Sequence, residues 1–168
     1  MKLYDYLKTS GYSIKSFGLG FIQVKKGNIN YNFYTSKVDK FSNTNEPHSH
    51  QQDFISEILS GVLLEETYNL VEGNKVGYCG CGNTDLEIKG VDFNKVEKLK
   101  HIKGDLYYRL KSQYHTVQGE ENTVTRVVKS GNKVDAFIIG EKCSIPLKEY
   151  NEDYLWEVVK EICENVNL

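Results

Sequence analysis

Proline and arginine are both scarce in this chain of 168 residues, which has two of each. The scarcity of proline, together with 12 tyrosines and many valine, isoleucine and phenylalanine residues, favours strands over helices. Lysine supplies nearly all of the positive charge, so Arg109 and Arg126 are unusual positions in this composition. A mainly β protein is expected.

Long apolar runs are also missing. No stretch approaches the roughly 20 residues that cross a bilayer, and residues 1–7 are too polar for a secretory signal peptide. The 21 basic residues nearly balance the 23 acidic ones, which gives no field that would attract nucleic acid or an anionic membrane. We expect a cytoplasmic protein that folds as one domain over residues 1–168 and has small molecules as partners.

The four cysteines lack the spacing of a structural zinc site. Cys79 and Cys81 form a C-x-C pair, whereas zinc sites use C-x₂₋₄-C with a second pair downstream. Cys143 and Cys163 are isolated near the C-terminus. We therefore interpret the segment around Cys79 as a reduced, glycine-rich loop.

Apolar alternation and turn signals predict eight to ten short strands with a helix at each end. Residues 2–9 favour a helix, and 151–166 favour an amphipathic helix with Asn151 as its N-cap. Ser60-Gly61 predicts a tight hairpin between the apolar runs 54–59 and 62–68. The strands are expected at residues 21–24, 31–34, 54–59, 62–68, 105–110, 114–117, 123–128 and 136–139.

Residues 72–104 have a different composition, rich in glycine, asparagine and lysine. They predict a long excursion from the sheet, with a helical part at residues 94–99. The expected fold is therefore an all-β sandwich or barrel with a core at about residues 20–140.

Histidine has the most informative spacing in the chain. His48 and His50 follow a polar loop at residues 40–47, and residues i and i+2 of a strand point to the same face. A third imidazole, from His115 on another strand, would complete a facial metal site. Such a set suits Fe²⁺, Mn²⁺, Ni²⁺ or Zn²⁺ and leaves positions open for water or substrate.

The sequence around these histidines resembles the cupin superfamily. Residues 47–50 and the following segment 53–61 are similar to its first motif, in which an H-x-H pair leads through a carboxylate and an apolar strand to a glycine turn. Gly104-Asp105 followed by Tyr114-His115 resembles the second motif. The resemblance implies a cupin-like β-sandwich that holds one divalent metal ion.

The carboxylate ligand is left open by this resemblance. Asp53 follows His50 after two residues and Glu57 after six, whereas the family usually has a glutamate after three or four. Asp53, Ile55 and Glu57 share one face of a regular strand, and a bulge after His50 would bring odd-numbered positions to the side of the histidines. We predict Asp53 as the fourth metal ligand, with Glu57 as the alternative.

Other residues are candidates for contact with a substrate. Arg109 and Arg126 offer planar forks that suit an anion, although ion pairs with Glu57, Glu65 or Glu66 are an alternative. Tyr34 is predicted to bind the ligand, and Glu57 and Tyr108 are the candidate catalytic residues.

Two functions are consistent with these residues. The first is a metal-dependent protein that acts on a small polar or anionic molecule by oxygen-activating or Lewis-acid chemistry, as a metalloenzyme does. The second is a non-catalytic protein of the same fold that sequesters a small anionic, nucleotide-like ligand. A homodimer formed through sheets is a further expectation, and fold alone does not decide among these functions.

Overall fold

The structure, a computed structural model, describes residues 2–40, 46–79, 86–140 and 148–168. Within them the chain forms ten strands between two helices. In chain order these are α1 (Leu3–Thr9), β1 (Ser13–Ser16), β2 (Phe21–Lys26), β3 (Ile29–Tyr34), β4 (Asp53–Ser60), β5 (Val62–Cys79), β6 (Glu87–Ile102), β7 (Leu106–Arg109), β8 (Tyr114–Gly119), β9 (Val124–Ser130), β10 (Phe137–Ile139) and α2 (Glu152–Asn165).

Two antiparallel sheets make up the body of the protein. Six strands form one sheet in the order β1-β2-β3-β9-β4-β7, and the other has the order β10-β5-β6, with β8 also paired to β5. Strands that alternate between buried and exposed positions require such a second layer to cover their apolar face. The prediction of an all-β, cupin-like sandwich with a helix at either end is confirmed.

The main apolar core lies where both helices pack against the first strands. Leu7 of α1, Ile14 of β1, Phe33 of β3 and Ile162 of α2 are all at most 2% exposed. Asn151 caps α2 as expected, because its side chain accepts a 2.8 Å hydrogen bond from the backbone N–H of Asp153. No helix of the described residues is long and apolar enough to span a membrane.

The connection at Ser60-Gly61 differs from its prediction. Gly61 does adopt a positive φ of 76°, but β4 and β5 belong to different sheets and do not form a hairpin. A Cβ at Gly61 would lie 2.5 Å from the Thr123 side-chain oxygen, so the close approach of β9 also requires glycine here. The turn at Gly61 was predicted correctly, but β4 pairs with the distant strand β9 and not with the next strand, β5.

Residues 72–104 also differ from their prediction. Residues 72–79 continue β5 and residues 87–102 form the whole of β6, so the segment expected to be helical, 94–99, is part of a strand. Most of β6 is exposed, so it lacks the apolar alternation by which a strand is recognised in sequence. The predicted loop at residues 40–47 and the Cys79–Cys81 loop fall partly, and Cys143 wholly, outside the described residues.

Candidate metal centre

Backbone pairing brings His48 next to His115. The N–H of each residue donates to the carbonyl of the other, both at 3.0 Å, which is the closely spaced pair of an antiparallel bridge. On its other side His48 is bridged to Ile138 of β10. The segment that carries the H-x-H pair is thereby held between β8 and β10, and side chains of opposed residues point to the same face.

The three imidazoles converge on one point. Ring centroids are 5.0 Å apart for His48 and His50, 5.0 Å for His48 and His115, and 4.9 Å for His50 and His115. One ligand nitrogen from each ring lies within 4.8 Å of the other two. Phe54 of β4 packs its ring edge-on against His50 at 4.7 Å and shields the cluster. These distances place three nitrogen donors where a single ion can contact all of them.

Hydrogen bonds at the outer nitrogens assign the tautomers. His48 Nδ1 lies 3.1 Å from the Glu46 carbonyl, which can only accept, so this nitrogen carries the proton. His115 Nδ1 lies 2.5 Å from Glu65 Oε1 and donates to it in the same way. In the neutral rings the lone pairs of both residues are then at Nε2, and that of His115 accepts a 2.7 Å hydrogen bond from His50 Nε2.

Burial keeps His48 and His50 neutral. It lowers the pKa of His48 to about 4 and that of His50 to about 2, with the neighbouring histidines adding to the effect in both cases. Neutral imidazole is the form that binds a metal ion, so two of the three rings are ready to bind without losing a proton near pH 7.

A buried carboxylate supports His115 from behind. Glu65 is fully buried, and its two oxygens accept four hydrogen bonds: from His115 Nδ1 and Arg109 Nε on Oε1, and from Arg109 Nη2 and His101 Nε2 on Oε2. Burial alone would raise the pKa of Glu65, but the bonds from His115, Arg109 and His101 outweigh it and lower the pKa to about 2. The carboxylate is therefore charged and saturated.

The structure does not bring the predicted carboxylate ligands into the cluster. On β4 the even-numbered side chains Phe54, Ser56 and Ile58 face inward, whereas Asp53 and Glu57 lie on the opposite face. Asp53 Oδ1 instead accepts a 2.7 Å hydrogen bond from the backbone N–H of Lys111. Glu57 forms a 3.3 Å ion pair with Arg126, the alternative considered for that arginine.

The other candidate residues are also separate from the histidines. Tyr108 is 48% exposed on the outer face, paired across strands with Ile55. The guanidinium fork of Arg109 is used by Glu65, as described above, at 2.7 and 2.6 Å. Tyr34 is buried, and it lines a cavity of about 460 Å³ together with Gly119 and Lys40 rather than the histidine cluster.

Two residues that complete the site were missed by sequence reasoning. Glu65 was considered only as an ion-pair partner. The lysine-rich surroundings of His101 suggest an exposed residue, but its side chain is only 11% exposed and its ring stacks on Tyr107 at 4.1 Å. The sequence signal for a structural role of Glu65 was a charged residue on the same face of the strand as the apolar Leu63. A charge at such a position needs partners, and these could be identified only from the strand register.

Comparison with known proteins gives little further identification. No protein-family model matches the chain, and no curated protein matches it. Among solved structures it is similar to the Drosophila melanogaster CENP-C cupin domain (TM-score 0.42, 10% identity, covering 77% of this chain and 93% of that chain). It is also similar to the Bacillus subtilis oxalate decarboxylase with Mn(II) centres (0.40, 11%, 94% and 38%) and to KdgF from Halomonas sp. (0.32, 13%, 79% and 88%).

All these TM-scores are below 0.5, so the fold assignment depends on the strands and sheets of this chain itself. Those sheets and the three histidines define the class of protein: a cupin-like β-sandwich that carries a candidate metal centre.

Proposed function

We propose that the protein binds one divalent metal ion through His48, His50 and His115 and acts on a small molecule at that ion. The observation that carries the proposal is the convergence of three imidazole nitrogens within 4.8 Å of one another. Lowered pKa values at His48 and His50 support it, because they favour the neutral, metal-binding form of both rings.

The donor set narrows the choice of metal. Imidazole suits zinc, iron, nickel and copper, whereas manganese is better matched by carboxylate and carbonyl oxygen. Among the described residues the cluster contains three histidines and no carboxylate, so Zn²⁺, Fe²⁺ or Ni²⁺ is favoured over Mn²⁺. When bound, such an ion supplies Lewis-acid chemistry or activates a bound oxygen species at the positions that the protein leaves open.

The charge of the site indicates the kind of ligand. Three neutral imidazoles do not offset the 2+ charge of an ion, and the nearest carboxylate, Glu65, is already paired with Arg109. A positively charged centre favours a small anionic or strongly polar molecule. We propose that the protein carries out this chemistry in the cytoplasm.

Metal titration tests the proposal directly. Metal-stripped protein is titrated calorimetrically with Zn²⁺, Ni²⁺, Fe²⁺ and Mn²⁺, and the metal content of protein purified without added metal is measured by elemental analysis. We expect one ion per chain in the wild type and loss of that binding in His48→Ala, His50→Ala and His115→Ala. Asp53→Asn is the matched control and should bind as the wild type does, because Asp53 bonds to Lys111 on the other face of β4.

Two outcomes would contradict the proposal. One is wild-type protein that takes up no metal at micromolar concentrations. The other is a folded histidine variant that keeps wild-type affinity. A loss of binding in Asp53→Asn would instead restore Asp53 as the fourth ligand.

The second candidate function is sequestration of a small anionic, nucleotide-like ligand without turnover. A cavity of about 370 Å³ favours it, since Tyr68, Gln113 and Tyr114 offer polar groups among its lining residues; Arg109 also lines it, with its charge paired to Glu65. Incubation with candidate anions followed by mass spectrometry separates the two functions. Recovery of a bound anion unchanged supports sequestration, and formation of product excludes it.

The expected homodimer can be checked in the same preparation by sedimentation equilibrium.

A further inference from the structure

Glu65 lies on β5 between two strands that each carry a histidine close to it. In the register of the sheet, Glu65 is opposite Val117 of β8 and Leu99 of β6. His115 and His101 are each two residues from those positions and therefore share a face with Glu65 as diagonal neighbours. Strand pairing alone thus places one histidine on either side of this carboxylate.

Arg109 approaches the same carboxylate from the opposite sheet. It belongs to β7, at the edge of the six-stranded sheet, whereas Glu65 belongs to β5 of the other sheet. Its Nε and Nη2 groups contact the two oxygens at 2.7 and 2.6 Å, the parallel arrangement that fixes a carboxylate in orientation as well as position. The guanidinium also lies over the Tyr107 ring, 5.3 Å from its centroid.

We propose that Glu65, held by Arg109 and His101, is the positioning residue of the metal centre: it fixes the tautomer and the ring orientation of His115. The inference rests on the proposed metal site and adds a residue to it. With Nδ1 committed to Glu65, the lone pair of the neutral ring is at Nε2, which is the nitrogen that faces His50. Loss of the carboxylate frees the ring to rotate and to exchange tautomers.

A purely structural role for Glu65 would look different in one respect. The pair with Arg109 would by itself connect the two sheets and satisfy both charges, without any contact with His115. The 2.5 Å bond to His115 Nδ1 is additional, and it reaches the one ring of the cluster that is almost completely buried, at 2% exposure. The effect of Glu65 on metal binding is therefore separable from its effect on stability.

The experiment compares Glu65→Gln with Glu66→Gln in the full chain. Glu66 is the adjacent residue; it pairs with Lys95 and Tyr68 and does not contact any histidine of the cluster in the described contacts. Zn²⁺ affinity is measured by competition with a chromophoric chelator, and circular dichroism verifies that each variant is folded. We expect Glu65→Gln to bind about 10- to 100-fold more weakly than the wild type, and Glu66→Gln to bind as the wild type does.

A second measurement needs no variant that might unfold. Imidazole ¹⁵N chemical shifts of metal-free wild-type protein report which nitrogen of His115 is protonated, and we expect the Nδ1–H form alone.

The variant Arg109→Lys provides a milder perturbation, since it keeps the positive charge and loses the planar fork. We expect it to lose less Zn²⁺ affinity than Glu65→Gln does.

The outcomes separate this inference from the proposed function. Zn²⁺ binding by the wild type with equal affinity in a folded Glu65→Gln variant overturns the positioning role and leaves the metal site intact. An Nε2–H or mixed tautomer of His115 in the wild type also overturns it. Failure of the wild type to bind any metal overturns the proposed function itself.

Discussion

The two halves of β5 show how strongly strand neighbours determine the character of a residue. Leu63–Tyr68 pairs with β6 on one side and β8 on the other, whereas Asn69–Val76 pairs with β6 alone. The first half is regular until its last residue, and the second has register shifts between Glu72 and Val76. Glu65 in the first half is fully buried, and Glu72 in the second is exposed.

This difference indicates that the metal centre depends on the pairing of β5 with both β6 and β8, and that β5 alone does not determine it. Where β8 is present, the inner face of β5 is closed by the facing sheet and a carboxylate must be completely paired. Where β8 is absent, the same residue type is solvated and has few requirements. The hairpin that Asn69–Val76 of β5 forms with β6 (the outer hairpin) is therefore expected to tolerate change, whereas Leu63–Tyr68 (the inner half of β5) is not.

The largest expected effect comes from truncating the two glutamates. Glu65→Ala leaves Arg109, whose side chain is only 14% exposed, without its partner, and we expect the free energy of unfolding to fall by about 3–5 kcal/mol. Glu72→Ala removes an exposed side chain and should change it by no more than about 0.5 kcal/mol. Urea denaturation followed by circular dichroism measures both. Equal effects in the two variants would show that the halves of β5 do not differ in the way described.

A pH effect is expected from the histidine cluster, which β8 holds beside the first half of β5. The pKa values of His48 and His50 are lowered in the folded state from an ordinary value near 6.5, so the unfolded chain takes up protons that the folded protein does not. Stability of the metal-free protein is then greatest above pH 6.5 and falls on acidification, by about 2 kcal/mol for each histidine at pH 5. The Glu65 contribution persists to lower pH, and it is lost only as the pH falls from about 4.5 towards 2.

Thermal unfolding at pH 7, 6 and 5 checks this expectation. The variant His48→Gln/His50→Gln should lose most of the decrease between pH 7 and 5. Glu72→Ala should retain it in full. A wild-type melting temperature that is constant over this interval would contradict the assignment of neutral, buried imidazoles.

The smallest effect is expected for an exposed apolar position of β6, at the register shift opposite Thr67 and Tyr68. Val96 of β6 is 59% exposed, and Val96→Thr should alter the free energy of unfolding by less than about 0.5 kcal/mol. Val124 of β9 is completely buried, and Val124→Thr places a hydroxyl in the core at a cost of about 1–3 kcal/mol. Similar values for the two variants would argue against a solvated position in β6.

Sequence reasoning succeeded where the information was local. Alternation and turn residues located the strands that are half buried, the Asn151 cap defined the start of α2, and the spacing of His48 and His50 predicted two rings on one side. The pairing with His115 was expected from the resemblance of its surroundings to a second motif. In each case neighbouring residues carry the physical constraint.

It was incomplete where the constraint is long-range. Asp53 and Glu57 were predicted as ligands, but they lie on the face of β4 that points away from the histidines. Which face meets the histidines depends on how β4 packs, and its sequence does not specify this. Glu65 and His101 are 36 residues apart and meet only through the register of β5 and β6. The strand β6 itself lacks alternation because both of its faces are largely exposed.

The bond between Arg109 and Glu65 has a consequence for how the protein acquires its site. It joins the two layers of the sandwich, and its residues are separated by 44 positions in the chain. Glu65 therefore lacks its Arg109 partner until the layers have docked, and an ion added during refolding meets a fully oriented His115 only after that event. The rate of metal capture by refolding chains would record the moment at which the sandwich closes.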